Sequence, residues 1–300
     1  MIKIDQREIQ DTMAQPSGEM SGKICMVTGA TSGIGKVTAQ ALAEKGATVI
    51  IVARNQSRGE ATINEIKAKT GNGSVVLMLA DLSSQASIRQ LAQNFKQQYS
   101  RLDVLVNNAG AFNMQRSVTV DGLENTFATN HLGYFLLTNL LLDVLKASAP
   151  SRIVNVSSAA SERGIINFDD LQGEKRYGGP AAYSQSKLAN VLFTIALAKR
   201  LQGTGVTVNA LHPGPVATSF GMNNSLIWRI VFRIVYLFTG ISPEKGAETQ
   251  IYLATSPEVA RVTGKYFDKK KPVEPNPAAR DDATVERLWK VSEQLVGLAS

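Results

Sequence analysis

Short apolar runs alternate with longer amphipathic stretches along most of the chain. Six runs rich in β-branched residues show no in/out alternation, at residues 24–27, 48–53, 74–79, 104–106, 153–156 and 206–211. This pattern is typical of strands that are buried on both faces of a parallel sheet. Helical periodicity predicts helices over residues 34–45, 57–69, 84–99, 121–146, 181–202, 244–254 and 283–297. The alternation predicts an α/β fold: a doubly wound parallel sheet with helices on both of its faces.

The 300 residues fit one large domain that spans residues 1–300. Within it we expect an N-terminal extension over 1–21, a sheet core over 22–267, and a tail with a last helix over 268–300. Two long connections interrupt the alternation, at residues 159–180 and 219–239, and both follow predicted strand ends. Doubly wound sheets bind their ligands at that edge. The Pro-rich stretch from Pro272 to Pro277 is expected to be irregular.

Charge and composition exclude several classes of protein. The net charge is +7, but Lys and Arg are scattered and aromatic residues make up only 6% of the chain, so we expect no nucleic-acid partner. The lone cysteine, Cys25, cannot form an internal disulfide, which suits a reducing compartment. The N-terminal residues lack the pattern of a secretory signal, and no apolar run approaches the roughly 20 residues that span a bilayer. The expected location is the cytoplasm.

A glycine-rich turn follows the first predicted strand and precedes the first predicted helix. It reads Thr28-Gly29-Ala30-Thr31-Ser32-Gly33-Ile34-Gly35, with Gly-x-x-x-Gly-x-Gly spacing. Glycines there permit a tight turn and let backbone N–H groups approach a pyrophosphate at a helix N-terminus. Glycines also end many strands merely to form a turn. The position between strand and helix favours dinucleotide binding.

The end of the second strand indicates which dinucleotide is bound. Sites that prefer NAD place an acidic residue about 20 residues after the glycines, to bind the ribose 2′-hydroxyl. Here the region reads Val52-Ala53-Arg54-Asn55 and contains no acid. The guanidinium of Arg54 suits a 2′-phosphate, and Lys36 could add positive charge. If Arg54 is not simply a solvated loop residue, the cofactor is NADP(H).

Two further strand ends carry candidate cofactor contacts. Asp81-Leu82 ends the third strand, where the carboxylate could accept a hydrogen bond from an adenine amino group, although Asp also caps helices. Asn107-Asn108-Ala109-Gly110 ends the fourth strand. Its small residues would let the chain pass beneath a cofactor while the Asn side chains pin neighbouring backbone. A plain turn explains the same tetrapeptide equally well.

Tyr183 and Lys187 are candidates for acid–base chemistry because their spacing of four puts them on one face of a predicted helix. A nearby ammonium favours a phenolate, so the tyrosine could exchange a proton with a carbonyl or alcohol. Ser157 and Ser158 end the fifth strand, where a hydroxyl could bind the substrate oxygen. Asn130, in the preceding helix, could hold a water molecule against Lys187. Taken singly, each Ser or Asn could equally be an ordinary cap.

Metal and hydrolase chemistry are not expected. His131 lies in an apolar helix and His212 precedes Pro213, and no second ligand at metal spacing accompanies either of them. The chain also lacks the Gly-x-Ser-x-Gly elbow of many serine hydrolases.

Together these residues resemble the short-chain dehydrogenase/reductase family over about residues 22–267. The resemblance rests on the glycine turn, Asp81, 107–110, Asn130, Ser158, Tyr183 with Lys187, and Pro213-Gly214-Pro215-Val216-Ala217-Thr218. It implies a seven-stranded Rossmann-type sheet, and hydride transfer with an Asn–Ser–Tyr–Lys tetrad. The tetrad would be Asn130, Ser158, Tyr183 and Lys187, with Ser158 favoured over Ser157.

The resemblance also implies how the nicotinamide end of the cofactor is held. Lys187 would hold the nicotinamide ribose, and the Pro-Gly segment would pack beside the nicotinamide amide. The full set of expected NADP(H) contacts is Gly29, Thr31, Ser32, Gly33, Ile34, Gly35, Arg54, Asp81, Leu82, Asn107, Ala109, Gly110, Tyr183, Lys187, Pro213, Gly214, Val216 and Thr218.

Within the family, three segments are similar to the retinol dehydrogenase and protochlorophyllide-reductase-like branch. They are Asn130-His131-Leu132-Gly133, residues 170–175 (Asp-Leu-Gln-Gly-Glu-Lys) and 183–190 (Tyr-Ser-Gln-Ser-Lys-Leu-Ala-Asn). Arg54 and residues 264–267 fit as well. We expect no N-terminal anchor of the kind that is typical of the microsomal retinol enzymes, so the branch does not establish retinal as the substrate.

The apolar and basic stretch 225–238 allows three interpretations. Trp228, Ile230, Val231, Ile234 and Leu237 could line an apolar substrate cavity, contact a membrane surface beside Arg229 and Arg233, or form a partner interface. All three favour an apolar carbonyl or alcohol substrate over a sugar.

A non-catalytic NADPH sensor or scaffold and a membrane-peripheral lipid reductase are the alternative functions. The family resemblance implies a homo-oligomer built through the helices that contain Asn130 and Tyr183, which the C-terminal tail could alter.

Overall fold

The computed structural model describes residues 18–215 and 240–298. Seven parallel strands form the predicted sheet in the spatial order β3-β2-β1-β4-β5-β6-β7. They are β1 (Ile24–Thr28), β2 (Thr48–Ala53), β3 (Val75–Leu79), β4 (Val104–Asn107), β5 (Ser151–Val156), β6 (Val206–His212) and β7 (Tyr266–Asp268). The strand order reverses between β1 and β4, so a crevice opens at their carboxyl ends.

An eighth strand, β8 (Lys271–Val273), pairs antiparallel with β7 at the edge of the sheet. The prediction that 272–277 is irregular is therefore wrong for its first two residues. The β7–β8 turn places Lys269 and Lys270 at φ of 47° and 65°, a conformation that favours glycine or asparagine, so the sequence does not signal a hairpin. Pro272 is tolerated because an edge strand can leave one backbone group without a ladder bond.

Helices flank the sheet close to their predicted positions. They are α1 (Gly33–Glu44), α2 (Gln56–Thr70), α3 (Gln85–Gln98), α4 (Asn125–Phe127), α5 (Gly133–Leu140), α6 (Leu142–Ala147), α7 (Gly179–Arg200), α8 (Pro243–Thr255) and α9 (Asp282–Leu295). Within the described ranges, none is long and apolar enough to cross a bilayer.

The single helix predicted over 121–146 is wrong in detail. Residues 119–122 form a turn closed by a bridge between Val118 and Glu124, and the buried Glu124 carboxylate then caps α4. A π-helical segment, Ala128–Leu132, joins α4 to α5. A π-helical turn holds an extra residue, which the sequence pattern does not reveal, and such turns occur often at functional sites.

Two apolar cores, one on each face of the sheet, confirm the doubly wound arrangement. On one face, side chains from α3, α5, α7 and α9 pack together, including Phe95, Phe135 and Leu192. On the other face, α1, α2 and α8 contribute residues that include Leu42 and Ile66. The C-terminal helix α9 packs on α7 through Trp289, whose ring lies 5.9 Å from the Phe193 ring.

Candidate active site

The glycine turn lies at the carboxyl end of β1, where the sequence predicts it. Gly29 has a φ of +65° and Gly33 a φ of +55°, both in the left-handed region that favours glycine. The N–H of Gly29 donates to the Val52 carbonyl at 3.0 Å, which ties the turn to β2. A Cβ at position 29 would lie 2.7 Å from the Cα of Ala109. The turn therefore requires glycine for its conformation and for its close approach to residues 107–110.

The side chain of Asn108 holds these two turns together. Its amide donates to the carbonyls of Thr28 at 2.8 Å and Gly29 at 3.2 Å. The Thr28 hydroxyl in turn accepts the N–H groups of Asn108 at 2.9 Å and Ala109 at 3.0 Å. The Asn108 amide occupies the space that a Cβ at position 35 would fill, so Gly35 must lack a side chain.

The N-terminus of α1 points at this edge of the sheet without a side-chain cap. Ser32 is its N-cap residue but its side chain makes no capping hydrogen bond, and the first turn contains no acidic residue. In contrast, Asn55, Ser84 and Ser242 each cap the helix that follows them. The first N–H groups of α1 thus remain for an anionic ligand, and the helix dipole favours one there.

Arg54 follows directly after β2 at the same edge. Its side chain is exposed, and no ion pair among the described residues involves it. Lys36, the second cation expected here, instead forms an ion pair with Glu65 of α2. That pair, together with Lys69, lowers the pKa of Glu65 to about 2. Arg54 is thus the better placed of the two cations for a 2′-phosphate.

Asp81 and Asn107, the two remaining candidates at strand ends, differ in how many hydrogen bonds their side chains already make within the protein. One carboxylate oxygen of Asp81 accepts from the Ser83 N–H at 2.9 Å and hydroxyl at 2.7 Å. Asn107 is fully buried, and its amide donates into the core, to Thr138 at 3.0 Å and Asn155 at 2.8 Å. Asn107 therefore supports the turn from beneath, and Asn108 performs the pinning that the sequence assigns to either residue.

Lys187 is the most unusual charged group of the site. Its side chain is 2% exposed, and its ammonium donates to the Val156 carbonyl at 3.0 Å. Burial alone lowers its pKa from 10.5 to about 7, because no carboxylate of the described residues compensates the charge. An ammonium group has three donors. Lys187 thus retains hydrogen-bonding capacity for a ligand.

Two tyrosine rings lie beside this ammonium. Its nitrogen is 5.7 Å from the centre of the Tyr183 ring and 5.8 Å from that of Tyr134. The Tyr134 hydroxyl donates to the Ala109 carbonyl at 2.6 Å, and burial raises its pKa well above the usual value. Tyr134 therefore stays neutral and links the turn after β4 to Lys187. Tyr183 is only half-buried and contacts Phe112 edge-on at 5.1 Å, at the surface of the crevice.

The structure separates the roles of the two adjacent serines. The hydroxyl of Ser157 is buried and donates to the Lys187 carbonyl at 2.7 Å, so it braces α7. The hydroxyl of Ser158 is half-buried, and its one hydrogen bond within the described residues is accepted from the Ala160 N–H at 3.2 Å. Ser158, and not Ser157, could therefore donate a hydrogen bond to a substrate oxygen.

Asn130 lies in the π-helical segment and is completely buried. Its amide oxygen accepts from the Ala111 N–H at 2.7 Å, and its amide nitrogen donates to the Ala111 carbonyl and the Ser186 hydroxyl, both at 2.9 Å. Ser186 donates in turn to the Tyr183 carbonyl at 2.8 Å. Both amide hydrogens are thus used by the protein. Any water that Asn130 holds must donate to one of its oxygens.

A dinucleotide cofactor fits this set of residues. The uncapped helix terminus suits a pyrophosphate, the free guanidinium of Arg54 suits a phosphate on the adenosine ribose, and the buried ammonium suits ribose hydroxyls. At the end of β6, His212 Nδ1 accepts the Gly214 N–H at 3.3 Å, and its Nε2 lies 3.3 Å from the Asp268 carboxylate, so the imidazole ties Gly214 to the end of β7. Val216, Thr218 and the stretches 219–239 and 225–238 lie outside the described residues.

Sequence reasoning missed three polar residues of the site: Tyr134, Asn190 and His131. Asn190 donates to the Val156 carbonyl at 3.3 Å, beside Lys187. Helical spacing could have found two of them, since Asn190 is three residues after Lys187 and Tyr134 is four after Asn130. No such signal exists for His131, whose partners come from elsewhere in the chain. Among the described residues, no group of three His, Cys, Asp or Glu side chains could hold a metal ion.

Comparison with known proteins places this geometry among dehydrogenases. The family model described as "short chain dehydrogenase" matches residues 23–226. Similar proteins include retinol dehydrogenase 14 of Homo sapiens, 46% identical over 94% of this chain and 88% of its own length. Retinol dehydrogenase 13 of Homo sapiens is 48% identical over 92% of this chain and 85% of its own length.

Solved structures with the same architecture include one with a bound cofactor. The RhlG/NADP active-site complex of Pseudomonas aeruginosa has a TM-score of 0.66, 30% identity, and coverage of 85% of this chain and 97% of its own. An uncharacterized protein from Mycobacterium paratuberculosis has a TM-score of 0.76 at 35% identity, with coverage of 94% of this chain and 95% of its own.

Proposed function

This chain belongs to the short chain dehydrogenase family, and on that premise we propose that it interconverts an apolar alcohol with its aldehyde or ketone, using NADP(H). Membership in the family, and the retinol dehydrogenases among its relatives, make it an oxidoreductase. The NADP complex among similar structures supports binding of NAD(P)(H). The preference for NADP(H), the residue roles and the substrate class are our proposals.

We assign the chemistry to the tetrad as follows. The bound cofactor supplies or accepts the hydride. The Tyr183 hydroxyl gives a proton to the carbonyl oxygen during reduction and takes it back during oxidation. Ser158 donates a hydrogen bond to the same oxygen, and Lys187 provides positive charge beside the phenol. Asn130 holds the segment 110–112 and, through Ser186, the start of α7.

The observation that carries this proposal is the buried Lys187. Burial of an ammonium without a carboxylate costs several kcal/mol, so a purely structural position would not favour lysine. The Lys187 ammonium also lies 5.7 and 5.8 Å from the centres of the Tyr183 and Tyr134 rings, at the edge of the sheet that carries the glycine turn and Arg54. The arrangement suits a group that binds a ribose and supports an ionisable phenol. A non-catalytic sensor requires neither the phenol nor the free Ser158 hydroxyl.

The cofactor preference and the substrate class rest on separate features. Arg54 is exposed and free of ion pairs in the described ranges, whereas an NAD site would place an acid there. The relatives at 46–48% identity carry the name retinol dehydrogenase, which favours a retinoid or another long apolar aldehyde as substrate.

The direct test follows oxidation of NADPH and NADH with a panel of aldehydes and ketones that includes retinal. Tyr183→Phe serves as the catalytic variant, and Tyr252→Phe is the matched control, because this half-buried tyrosine of α8 bonds Glu258 through its hydroxyl. Turnover with NADPH that is lost in Tyr183→Phe and kept in Tyr252→Phe supports the proposal. Tight NADPH binding without turnover across the panel would favour the sensor function instead.

Two narrower proposals concern surfaces. We keep the substrate pocket as the first role of 225–238; cosedimentation with lipid vesicles tests the membrane alternative. We still expect the protein to form a homo-oligomer. However, α9 covers part of α7, because the Trp289 ring of α9 lies 3.9 Å from the Arg200 guanidinium of α7. Light scattering of the full chain and of a Trp289→Ala variant tests whether this covered helix takes part in assembly.

A further inference from the structure

His131 is a buried histidine whose polar contacts connect three elements of the fold. It lies in the π-helical segment beside Asn130 and is completely buried. The rings of Phe127, Phe135 and Phe193 surround it, with centres 5.0, 6.2 and 6.2 Å away. Its Nε2 lies 2.8 Å from the hydroxyl of Ser292 in α9. An imidazole in an aromatic box loses hydration, so each of its nitrogens needs a protein partner.

Asn190 is the side-chain neighbour that could serve the second ring nitrogen, Nδ1. Among the buried atoms of the described residues, His131 Nδ1 and Asn190 Oδ1 both lack a hydrogen-bond partner of standard geometry. A hydrogen bond that His131 donates to the Asn190 side chain is the one interaction that raises the pKa of His131, although burial outweighs it and lowers that pKa to about 3. The ring is therefore neutral near pH 7. His131 Nδ1 and Asn190 Oδ1 can form a hydrogen bond only if Nδ1 carries the proton, because an amide oxygen can only accept.

The amide orientation of Asn190 supports the same tautomer. Its nitrogen donates to the Val156 carbonyl at 3.3 Å, and the opposite orientation would bring two carbonyl oxygens together. Asn190 Oδ1 must then face the ring, where it can only accept. With the proton on Nδ1, Nε2 accepts from the Ser292 hydroxyl. That hydroxyl also has an alternative acceptor, the Leu288 carbonyl at 2.8 Å.

The same Val156 carbonyl holds Lys187. The lysine ammonium and the Asn190 amide donate to it at 3.0 and 3.3 Å. We propose that His131 is a positioning residue for Lys187: its ring, held as the Nδ1–H tautomer by Ser292, fixes the Asn190 amide, which shares the Val156 carbonyl with the lysine. The C-terminal helix thereby becomes part of the support of the active site. The kinetic part of this inference rests on the proposed function.

The tautomer can be measured without turnover. The chain has only two histidines, so long-range ¹H–¹⁵N spectra of histidine-labelled, cofactor-free protein contain two rings. We expect His131 as the Nδ1–H form, unchanged between pH 5.5 and 8. His212 should be the Nε2–H form, because its Nδ1 accepts from Gly214. A neutral His131 with the proton on Nε2, or a His131 that titrates in this range, overturns the inference whether or not the protein is an active dehydrogenase.

Two substitutions separate the two nitrogens of the ring. In His131→Asn, the side-chain amide nitrogen can replace Nδ1 and donate to Asn190. In His131→Gln, the amide can replace Nε2 and contact Ser292, but the donor to Asn190 is lost. Once released, the Asn190 oxygen can turn toward the ammonium and draw it from Tyr183. We expect His131→Gln to raise the pH of half-maximal alcohol oxidation by about half a unit to one unit and the KM for NADP about 3- to 10-fold. His131→Asn should stay within about 2-fold of wild type.

Phe135→Leu controls for the effect of a destabilised core. It removes one of the aromatic rings around His131 and leaves the hydrogen bonds of His131, Asn190 and Ser292 in place. It should lower the melting temperature and leave the pH profile unchanged. Equal pH profiles in His131→Asn and His131→Gln would overturn the positioning role and leave His131 as a core residue. If wild-type protein turns over none of the carbonyls tested, the proposed function fails, while the tautomer measurement still decides the inference.

Discussion

The ammonium nitrogen of Lys187 lies 5.7 Å from the centre of the Tyr183 ring, one helical turn away on α7. Burial of the Lys187 ammonium is unfavourable for folding. The lysine is 2% exposed, receives no carboxylate among the described residues, and has its pKa lowered to about 7. Function and stability therefore make opposite demands on this position, and this conflict can be measured.

Replacement of Lys187 by Met should abolish turnover and stabilise the cofactor-free protein. The folded-state pKa of about 7 lies below the ordinary 10.5, so unfolded chains bind more protons between those values. Wild-type stability should thus rise with pH across this window, and Lys187→Met should lose that slope. At pH 7 we expect the variant to be about 1–3 kcal/mol more stable. Urea unfolding at pH 7, 8 and 9 measures this, with the exposed Lys199→Met as control. Parallel stability curves for wild type and Lys187→Met would contradict the prediction.

The two serines after β5 should separate activity from stability. Ser158→Ala removes the hydroxyl assigned to the substrate oxygen and should lower kcat about 100-fold, while loss of its bond to the Ala160 N–H should cost at most about 1 kcal/mol of stability. Ser157→Ala breaks the buried bond to the Lys187 carbonyl and should cost about 1–2 kcal/mol of stability, with a smaller loss of kcat. Steady-state kinetics and thermal unfolding of both variants test this. A larger kcat loss in Ser157→Ala would reverse our assignment.

Arg54 should determine the cofactor preference. Arg54→Leu is expected to raise the KM for NADPH about 10- to 100-fold, the effect of losing charge-assisted hydrogen bonds, and to leave the KM for NADH within about 2-fold. Arg261→Leu is the matched control, because Arg261 is also exposed but precedes β7, at the opposite edge of the sheet. An equal rise for both cofactors, or a wild-type preference for NADH, would refute the role of Arg54.

Gly35→Ala should disrupt the cofactor site through Asn108. The new methyl group would overlap the Asn108 amide, which must then give up its bonds to Thr28 and Gly29. We expect NADPH affinity to fall at least about 10-fold and the melting temperature to fall as well. Gly73→Ala is the control, since a Cβ there would meet open space. Binding is followed by fluorescence titration; unaltered affinity in Gly35→Ala would show that Asn108 does not support the turn.

Much of the fold follows from local patterns. The continuous apolar runs predicted the strands β1 to β6 within two residues at either end, because strands buried on both faces admit few polar side chains. The eighth strand escaped prediction, since its pairing depends on a turn in which Lys269 and Lys270 adopt positive φ. The π-helical break at Asn130 escaped for a related reason: the apolar spacing of residues 121–146 resembles that of one continuous helix.

In the candidate site, too, the sequence predicted local features and missed those that depend on long-range contacts. Short-range features, namely the glycine spacing, the absence of an acid near Arg54, and the four-residue step from Tyr183 to Lys187, could be found in the sequence alone because each is set within one turn or one helix. The family resemblance already favoured Ser158, but the bond that occupies the Ser157 hydroxyl and the choice of Asn108 over Asn107 as the pinning amide came only from the tertiary structure. So did the path from Ser292 through His131 and Asn190 to the Val156 carbonyl. Those choices depend on which polar groups are buried together, and burial joins residues up to 161 positions apart that no local pattern can connect.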